Sequence, residues 1–351
     1  MMALAGNSSF ENVEMEAIWT VLKACITPAI TYSGEAWEPS KKNYHSANQI
    51  MDGVLKRILK TPTHGTSREA LYIETGIMDP EALIIKNRIN MEARIKNGNN
   101  QTMKDILKSK TKGSWAEENR KLKERLNLDE NQMEGSRAQI KAISKTKIKQ
   151  DFKERINNEM NEKSKMKYFM DGKKDWEPMK PAEYTQKLPR NQVSTIFKAR
   201  TRMLKVRSNY KKGNKEHKCR LCKHHEETQQ HVLEECEKIN ERCQKVSKEM
   251  IFNEDITELR KTAKTIQKRM ELLEELENKN EEQMSTHTLE MDNNALPPRV
   301  NTDHDETLPY GEEINLGTEA EELRETLNPD LDETLPYGED NDNITEGLRE
   351  S

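Results

Sequence analysis

The sequence predicts a mostly α-helical chain of several segments: a small helical module, a basic helical linker, a cysteine–histidine knuckle, a heptad helix and a disordered acidic tail. Apolar residues recur at intervals of three and four between capping residues and Gly or Pro stops, the period of helices with one buried face. The 351 residues are 34% charged and only 33% hydrophobic, with five Phe, eight Tyr and four Trp, which leaves few large side chains for one big core. Charge is also segregated along the chain. Residues 141–220 carry 24 basic and 9 acidic side chains (+15), whereas 271–351 carry 4 and 25 (−21). The first block is suited to a polyanion, and the second repels itself and stays extended.

The first segment, 1–98, contains four helical patterns. Ile18, Val21, Leu22, Cys25 and Ile26 repeat at helical spacing until Pro28 ends or kinks the run. Ile50, Met51, Val54, Leu55, Ile58 and Leu59 form a wide apolar stripe that Pro62 stops. A short helix fits between Ser67 and Gly76. The fourth is the best marked, with Asp79 at the cap, Pro80 at the first helical position and Glu81 in the first turn. Ala82, Ile85, Ile89 and Ala93 follow, and Gly98 ends it.

Segment 99–185 reads as a basic, partly helical linker. Its apolar residues are too sparse for a continuous face, although Trp115–Leu128 and Gln139–Met160 suit helices. Segment 186–250 opens with a basic amphipathic helix predicted to run to about Tyr210. Val193, Ile196, Phe197, Met203 and Leu204 share one side, and Lys198, Arg202 and Lys205 another. Segment 251–277 carries Ile256, Leu259, Ala263, Ile266, Met270 and Leu273 at alternating steps of three and four. That spacing fits a short coiled coil or one amphipathic helix packed on its own module. From 278 to 351 the chain is expected to be disordered, and DETLPYGE occurs at Asp305–Glu312 and again at Asp332–Glu339.

Four of five cysteines lie between residues 219 and 243, a pattern that suits a metal site in a reducing compartment, nuclear and/or cytoplasmic, better than a disulfide framework. The one apolar stretch, Ile18 to Ile30, is broken by Lys23 and Pro28 and is too short to span a membrane. Cys219, Cys222, His231 and Cys236 supply three soft sulfurs and one imidazole, the ligand set of a closed structural zinc site. Thr228 is placed to cap a helix that carries His231. His231 and Cys236 are five residues apart, about 140° round an ideal helix, so that helix must deform or end before Cys236. Cys243, His217, His224 and His225 are alternative ligands. A site with four protein ligands holds a fold and leaves no position for activating water.

The stretch Lys23–Trp37 (KACITPAITYSGEAW) is followed by Met51–Leu59 (MDGVLKRIL), Pro62, Glu69–Leu71 and Glu74–Gly76. Together they resemble the region just after the polymerase palm in non-LTR (LINE-type) retrotransposon reverse transcriptases. That family carries a Pro…Tyr-Gly…Glu-x-Trp helix, a Leu-Arg-Arg-Ile-Leu…Pro helix and a Leu…Glu-x-Gly segment there. Leu188–Leu204 (LPRNQVSTIFKARTRML) and the cysteine–histidine cluster resemble the family's C-terminal basic helix and zinc knuckle. The resemblance covers roughly residues 15–100 and 185–240. Ser33 separates Tyr32 from Gly34, and Glu237 stands where many members have proline. The family's palm holds two magnesium ions on an Asp-Asp hairpin, and this sequence contains no Asp-Asp pair. The resemblance therefore implies a part of an RNA-directed DNA polymerase without its catalytic motif, and no enzyme activity.

The expected function is non-catalytic binding of RNA or DNA through phosphate contacts from Lys198, Arg202, Lys205, Arg207, Lys211, Lys212 and Arg220. The resemblance favours RNA, and a separate polymerase palm is a further expected partner. The alternative is a protein-interaction adaptor that uses the zinc knuckle, the acidic tail and self-association through the heptad helix. On that alternative the tail can also fold back on the basic segment and compete with nucleic acid.

Overall fold

The computed structural model describes residues 13–37, 40–163, 166–173, 175–210 and 217–293. Helix α1 (Met15–Val21) buries Met15 and Trp19, and the Trp19 indole N–H donates to the Thr185 carbonyl at 2.7 Å. The helix passes through a π turn (Leu22–Ile26) into α2 (Thr27–Ile30). Pro28 therefore neither ends the run nor breaks it, because the widened turn before it absorbs the missing N–H.

Ser40 caps α3 (Lys41–Ile58) by accepting from the Asn43 N–H. Met51, Leu55, Ile58 and Leu59 are buried as the stripe requires, but Ile50 is 57% exposed because it sits one position beyond the contact face. Helix α4 (Arg68–Thr75) lies between its Ser67 cap and Gly76, whose φ of 63° closes it. A side chain at Gly76 would meet Pro181 N at 2.3 Å, so both backbone sign and space require glycine. Asp79 caps α5 (Pro80–Lys96), and its buried carboxylate also receives Arg68 at 2.8 Å and Arg155 at 2.7 Å.

Helices α6 (Gln101–Leu107) and α7 (Trp115–Arg125) lead to α8 (Arg137–Asn161), which a Ser136–Gln139 capping box opens. This is where the structure departs most from the sequence reading. The stretch read as a linker packs along α5. Ile140, Ser144, Ile148, Phe152, Ile156 and Met160, one residue every four, are all buried. A single file suffices because α5 offers a long facing surface. Arg88 and Asn119 fill the adjacent space with hydrogen bonds: Arg88 donates to Asn119 Oδ1 at 3.0 Å and to the Glu35 and Trp37 carbonyls at 3.0 and 2.6 Å. Asp79 at the start of α5 binds Arg155 late in α8, while Lys86 faces Lys141 and Lys145 early in α8, so the two helices run antiparallel.

Helices α9 (Lys167–Gly172) and α10 (Tyr184–Lys187) precede α11 (Arg190–Arg200). The predicted basic helix thus stops ten residues early. Arg202 turns left-handed at φ 56°, and only a 3₁₀ turn, Arg207–Tyr210, follows. Past the knuckle come α12 (Glu237–Asn240), α13 (Lys248–Ile251) and α14 (Ile256–Asn293). Leu259, Ala263, Ile266 and Leu273 are buried, and α14 lies along α11 of the same chain, so these positions pack on their own module. Helix α14 also carries helical backbone past 278 to Asn293, through a run that contains no Pro or Gly to stop it. Both DETLPYGE copies and the rest of the acidic tail lie outside the described residues.

Arg200 joins the N-terminal helices to this half. It is 3% exposed, donates to both Glu74 carboxylate oxygens at 3.1 Å and to the Ile251 carbonyl at 3.0 Å, and stacks 4.6 Å from the Tyr184 ring. Among the described residues no helix is long and apolar enough to cross a membrane.

Candidate metal centre

The knuckle begins as a tight turn. Lys218 and Glu226 form an isolated antiparallel bridge, and the Cys219 N–H donates to the His225 carbonyl at 2.7 Å. Lys223, left-handed at φ 61°, reverses the chain and brings Cys222 back beside Cys219. The Thr228 hydroxyl then accepts from the His231 N–H at 3.0 Å, and the backbone widens into a π turn, His231–Glu235. Cys236 leaves the helix in extended conformation at φ −65°, ψ 109°. The obstacle raised by the five-residue spacing is resolved by both means at once, since the helix widens and then ends.

The ligand atoms of Cys219, Cys222, His231 and Cys236 lie within 4.8 Å of one another. Cys219 Sγ and Cys236 Sγ are 3.8 Å apart, and Cys222 Sγ is 3.3 Å from His231 Nε2. Two sulfurs on a tetrahedral ion with bonds of about 2.3 Å are about 3.8 Å apart, so the spacing fits a shared ion. His231 turns Nε2 inward, and its Nδ1 faces Glu235 at 3.9 Å, the side from which a carboxylate orients a metal-bound imidazole. His217, His224, His225 and Cys243 fall outside this cluster.

The four donors are shifted in different directions, and the two buried thiols lose their protons only to a bound ion. Burial pushes the Cys219 thiol up to about 12 and also raises Cys236. Burial acts on Cys222 in the same direction, but the backbone amides of His225 and His224 outweigh it and hold this thiol below its ordinary value. Burial, followed by the charge of His225, lowers the His231 imidazole and favours its neutral, ligating form.

A second observation bears on the fit. Arg269 of α14 is fully buried, and its guanidinium donates to the carbonyls of Val232 at 2.7 Å, Gln244 at 2.8 Å and Cys243 at 3.0 Å, and to Asn240 Oδ1 at 2.7 Å. All four acceptors are neutral. Burial lowers the Arg269 guanidinium, and the charges of Cys243 and Cys236 act against that shift. Three thiolates, a neutral imidazole and a divalent ion sum to −1, the counter-charge that this guanidinium lacks among its hydrogen-bond partners.

The seven residues expected to contact phosphate have diverse positions. Arg220 is buried and donates through Nη2 and Nε to Glu227 at 2.6–3.1 Å, so it braces the knuckle and is not presented to a ligand. Burial raises the Glu227 carboxyl, but hydrogen bonds from Arg220 and from the Arg207 N–H outweigh that and hold it low. Lys205 pairs with Glu274 at 3.1 Å, and Arg207 donates to the Lys218 carbonyl at 3.2 Å. Arg202 is exposed, with its guanidinium 4.4 Å from the Tyr168 ring. Lys198 is half-buried, and its ammonium is lowered by burial and then by Lys60. Lys211 and Lys212 lie outside the described residues.

Glu227 and Arg269 were not singled out in the sequence. Charged residues among charged residues give no signal there, and their importance appears only when burial is known.

No protein-family model, curated protein or solved structure matches this chain.

Proposed function

We propose that the chain is a non-catalytic nucleic-acid-binding protein organised around a structural zinc ion, related by ancestry to the post-palm region of non-LTR retrotransposon reverse transcriptases. The observation that carries this reading is the convergence of Cys219, Cys222, His231 and Cys236 at the end of the strongly basic stretch 141–220. Three sulfurs and one imidazole in tetrahedral spacing suit zinc, and four protein ligands leave no open position for substrate or water. Bound there, the ion supplies folding energy and holds the knuckle turn, the π turn and, through Arg269, helix α14. Lys198 and Arg202 contribute cations on the neighbouring surface, and contacts of that kind give salt-dependent, weakly sequence-specific affinity.

The test uses the full chain: zinc content and affinity for a single-stranded RNA over a salt series, wild type against Cys219→Ser/Cys222→Ser. Bound zinc and salt-sensitive RNA binding in the wild type, with the zinc lost in the variant, support the reading. A second reading, a protein-interaction adaptor, is favoured by one specific observation: Lys205, Arg207 and Arg220 are engaged within the protein. Zinc without RNA binding selects that reading.

A further inference from the structure

The +15 of residues 141–220 does not gather at the knuckle. On α8 each buried residue of the file Ile140, Ser144, Ile148 and Phe152 is followed by a lysine: Lys141, Lys145, Lys149 and Lys153. Four residues at about 1.5 Å each put one ammonium every 6 Å or so, over about 18 Å from first to last. The four lie on one flank of the helix, and Lys86 from α5 stands against the first two. Lys141 and Lys145 are exposed, and Lys86, Lys149 and Lys153 are half-buried.

None of the five forms an ion pair among the described residues, although α8's opposite flank is fully paired where it meets acids. There Arg155 binds Asp79, and Asp151 binds Arg125. Lys86 is held below the ordinary lysine value by burial and by Lys141 and Lys145, and no carboxylate acts on it. Lys153 lies over the Trp176 ring at 5.9 Å, and a folded chain rich in Glu and Asp that leaves these five lysines without a counter-charge maintains a standing repulsion, strongest at Lys86, Lys141 and Lys145, which a bound anion relieves. The regular spacing selects the anion's form. A repeating charge at one-turn intervals matches a phosphodiester backbone, whereas a protein partner needs apolar or aromatic anchors. The exposed large apolar side chains, Val21, Tyr32, Ile50, Ile106 and Met179, all lie off α5 and α8.

We infer that the α8 lysine ridge, Lys141, Lys145, Lys149 and Lys153 with Lys86 beside it, is the main phosphate-contacting surface, and that it tracks the backbone of a nucleic-acid strand. The inference rests on the proposed nucleic-acid binding and moves its principal contacts from the knuckle to the antiparallel α5–α8 pair. Contacts are to phosphate rather than base, so affinity depends on salt and hardly on sequence.

The test is fluorescence anisotropy of a labelled mixed-sequence single-stranded RNA with the full chain, at several salt concentrations. Three proteins are compared: wild type, the ridge variant Lys141→Gln/Lys145→Gln/Lys149→Gln/Lys153→Gln, and the control Lys104→Gln/Lys108→Gln/Lys110→Gln/Lys112→Gln, which removes the same charge from the α6–α7 region. Circular dichroism confirms that all three fold. The ridge variant is expected to bind at least about tenfold more weakly at low salt, with the log–log salt slope reduced by about 3, at roughly 0.7 per contact for a single strand. The control is expected to stay within about threefold of wild type, the effect of net charge alone. Equal losses in both variants, or none in the ridge variant, overturn the ridge while RNA binding by the wild type stands. If the wild type does not bind RNA at low salt, the nucleic-acid reading fails, and the ridge with it.

Discussion

Replacing Arg269 by methionine keeps a long side chain in the core but removes the charge and every donor. Four acceptors lose their partner: the carbonyls of Val232, Cys243 and Gln244, and Asn240 Oδ1. The bonds to Val232 and Cys243 are fully buried, and at roughly 1–3 kcal/mol for each buried acceptor left dry these two alone cost about 4 kcal/mol. A second effect is separable from the first. If the guanidinium balances an anionic metal centre, its removal also weakens the ion. One charge pair at an effective dielectric near 20 contributes about 1–2 kcal/mol at separations of roughly 8–16 Å, or about 5- to 30-fold in metal affinity. Arg269→Lys separates the two, since it retains the charge while losing donors. The assay is competition with a chromophoric chelator, with thermal unfolding followed in parallel. Arg269→Met is expected to lose both stability and metal affinity, and Arg269→Lys stability with metal affinity near wild type. Arg269→Met and Arg269→Lys equal in metal affinity to within about twofold would refute charge compensation, whatever their stability.

Other consequences follow from buried groups on the same scaffold. Glu74→Gln leaves Arg200 buried without its carboxylate and is expected to destabilise the chain by about 3–5 kcal/mol, read as a fall in Tm of roughly 6–15 °C. Gly76→Ala, at φ 63° with Pro181 N 2.3 Å from the new Cβ, is expected to cost more than about 1 kcal/mol in denaturant unfolding. Glu227 gives a pH signature. Its folded pKa lies below the ordinary carboxylate value, so its contribution is complete above about pH 4.3 and is lost as pH falls through the depressed folded value. Tm measured from pH 6 down to pH 3 should show an acid limb in wild type, and Glu227→Gln should show a shallower one, with Glu69 and Glu130 still contributing, while being less stable at neutral pH.

Local signals were the most legible. The Ser67, Asp79 and Gly76 boundaries and the cysteine–histidine cluster can be read directly, because capping and ligation need particular atoms at fixed offsets. The role of α8 was hidden, because one apolar residue in four looks sparse until the opposing surface of α5 is known. The sequence extends the basic helix ten residues beyond its end at Arg200 because the apolar pattern continues through Met203 and Leu204. Leu204 is indeed buried, but it reaches the core from a non-helical turn. Arg220 and Glu227 of the knuckle and Arg269 of α14 look like solvated charges in the sequence and are all buried. Charge by itself marks a basic stretch but not which lysines remain available, since that depends on which carboxylates fold back onto them.

The most direct test of the central claim is elemental analysis of the purified full chain for bound metal, with wild type beside Cys219→Ser/Cys222→Ser. The account predicts about one zinc per wild-type chain and none retained in the variant. Wild-type protein that is folded and monodisperse yet carries no zinc after purification in zinc-supplemented buffer, or a variant that retains it, would contradict the metal centre on which the proposed function is built.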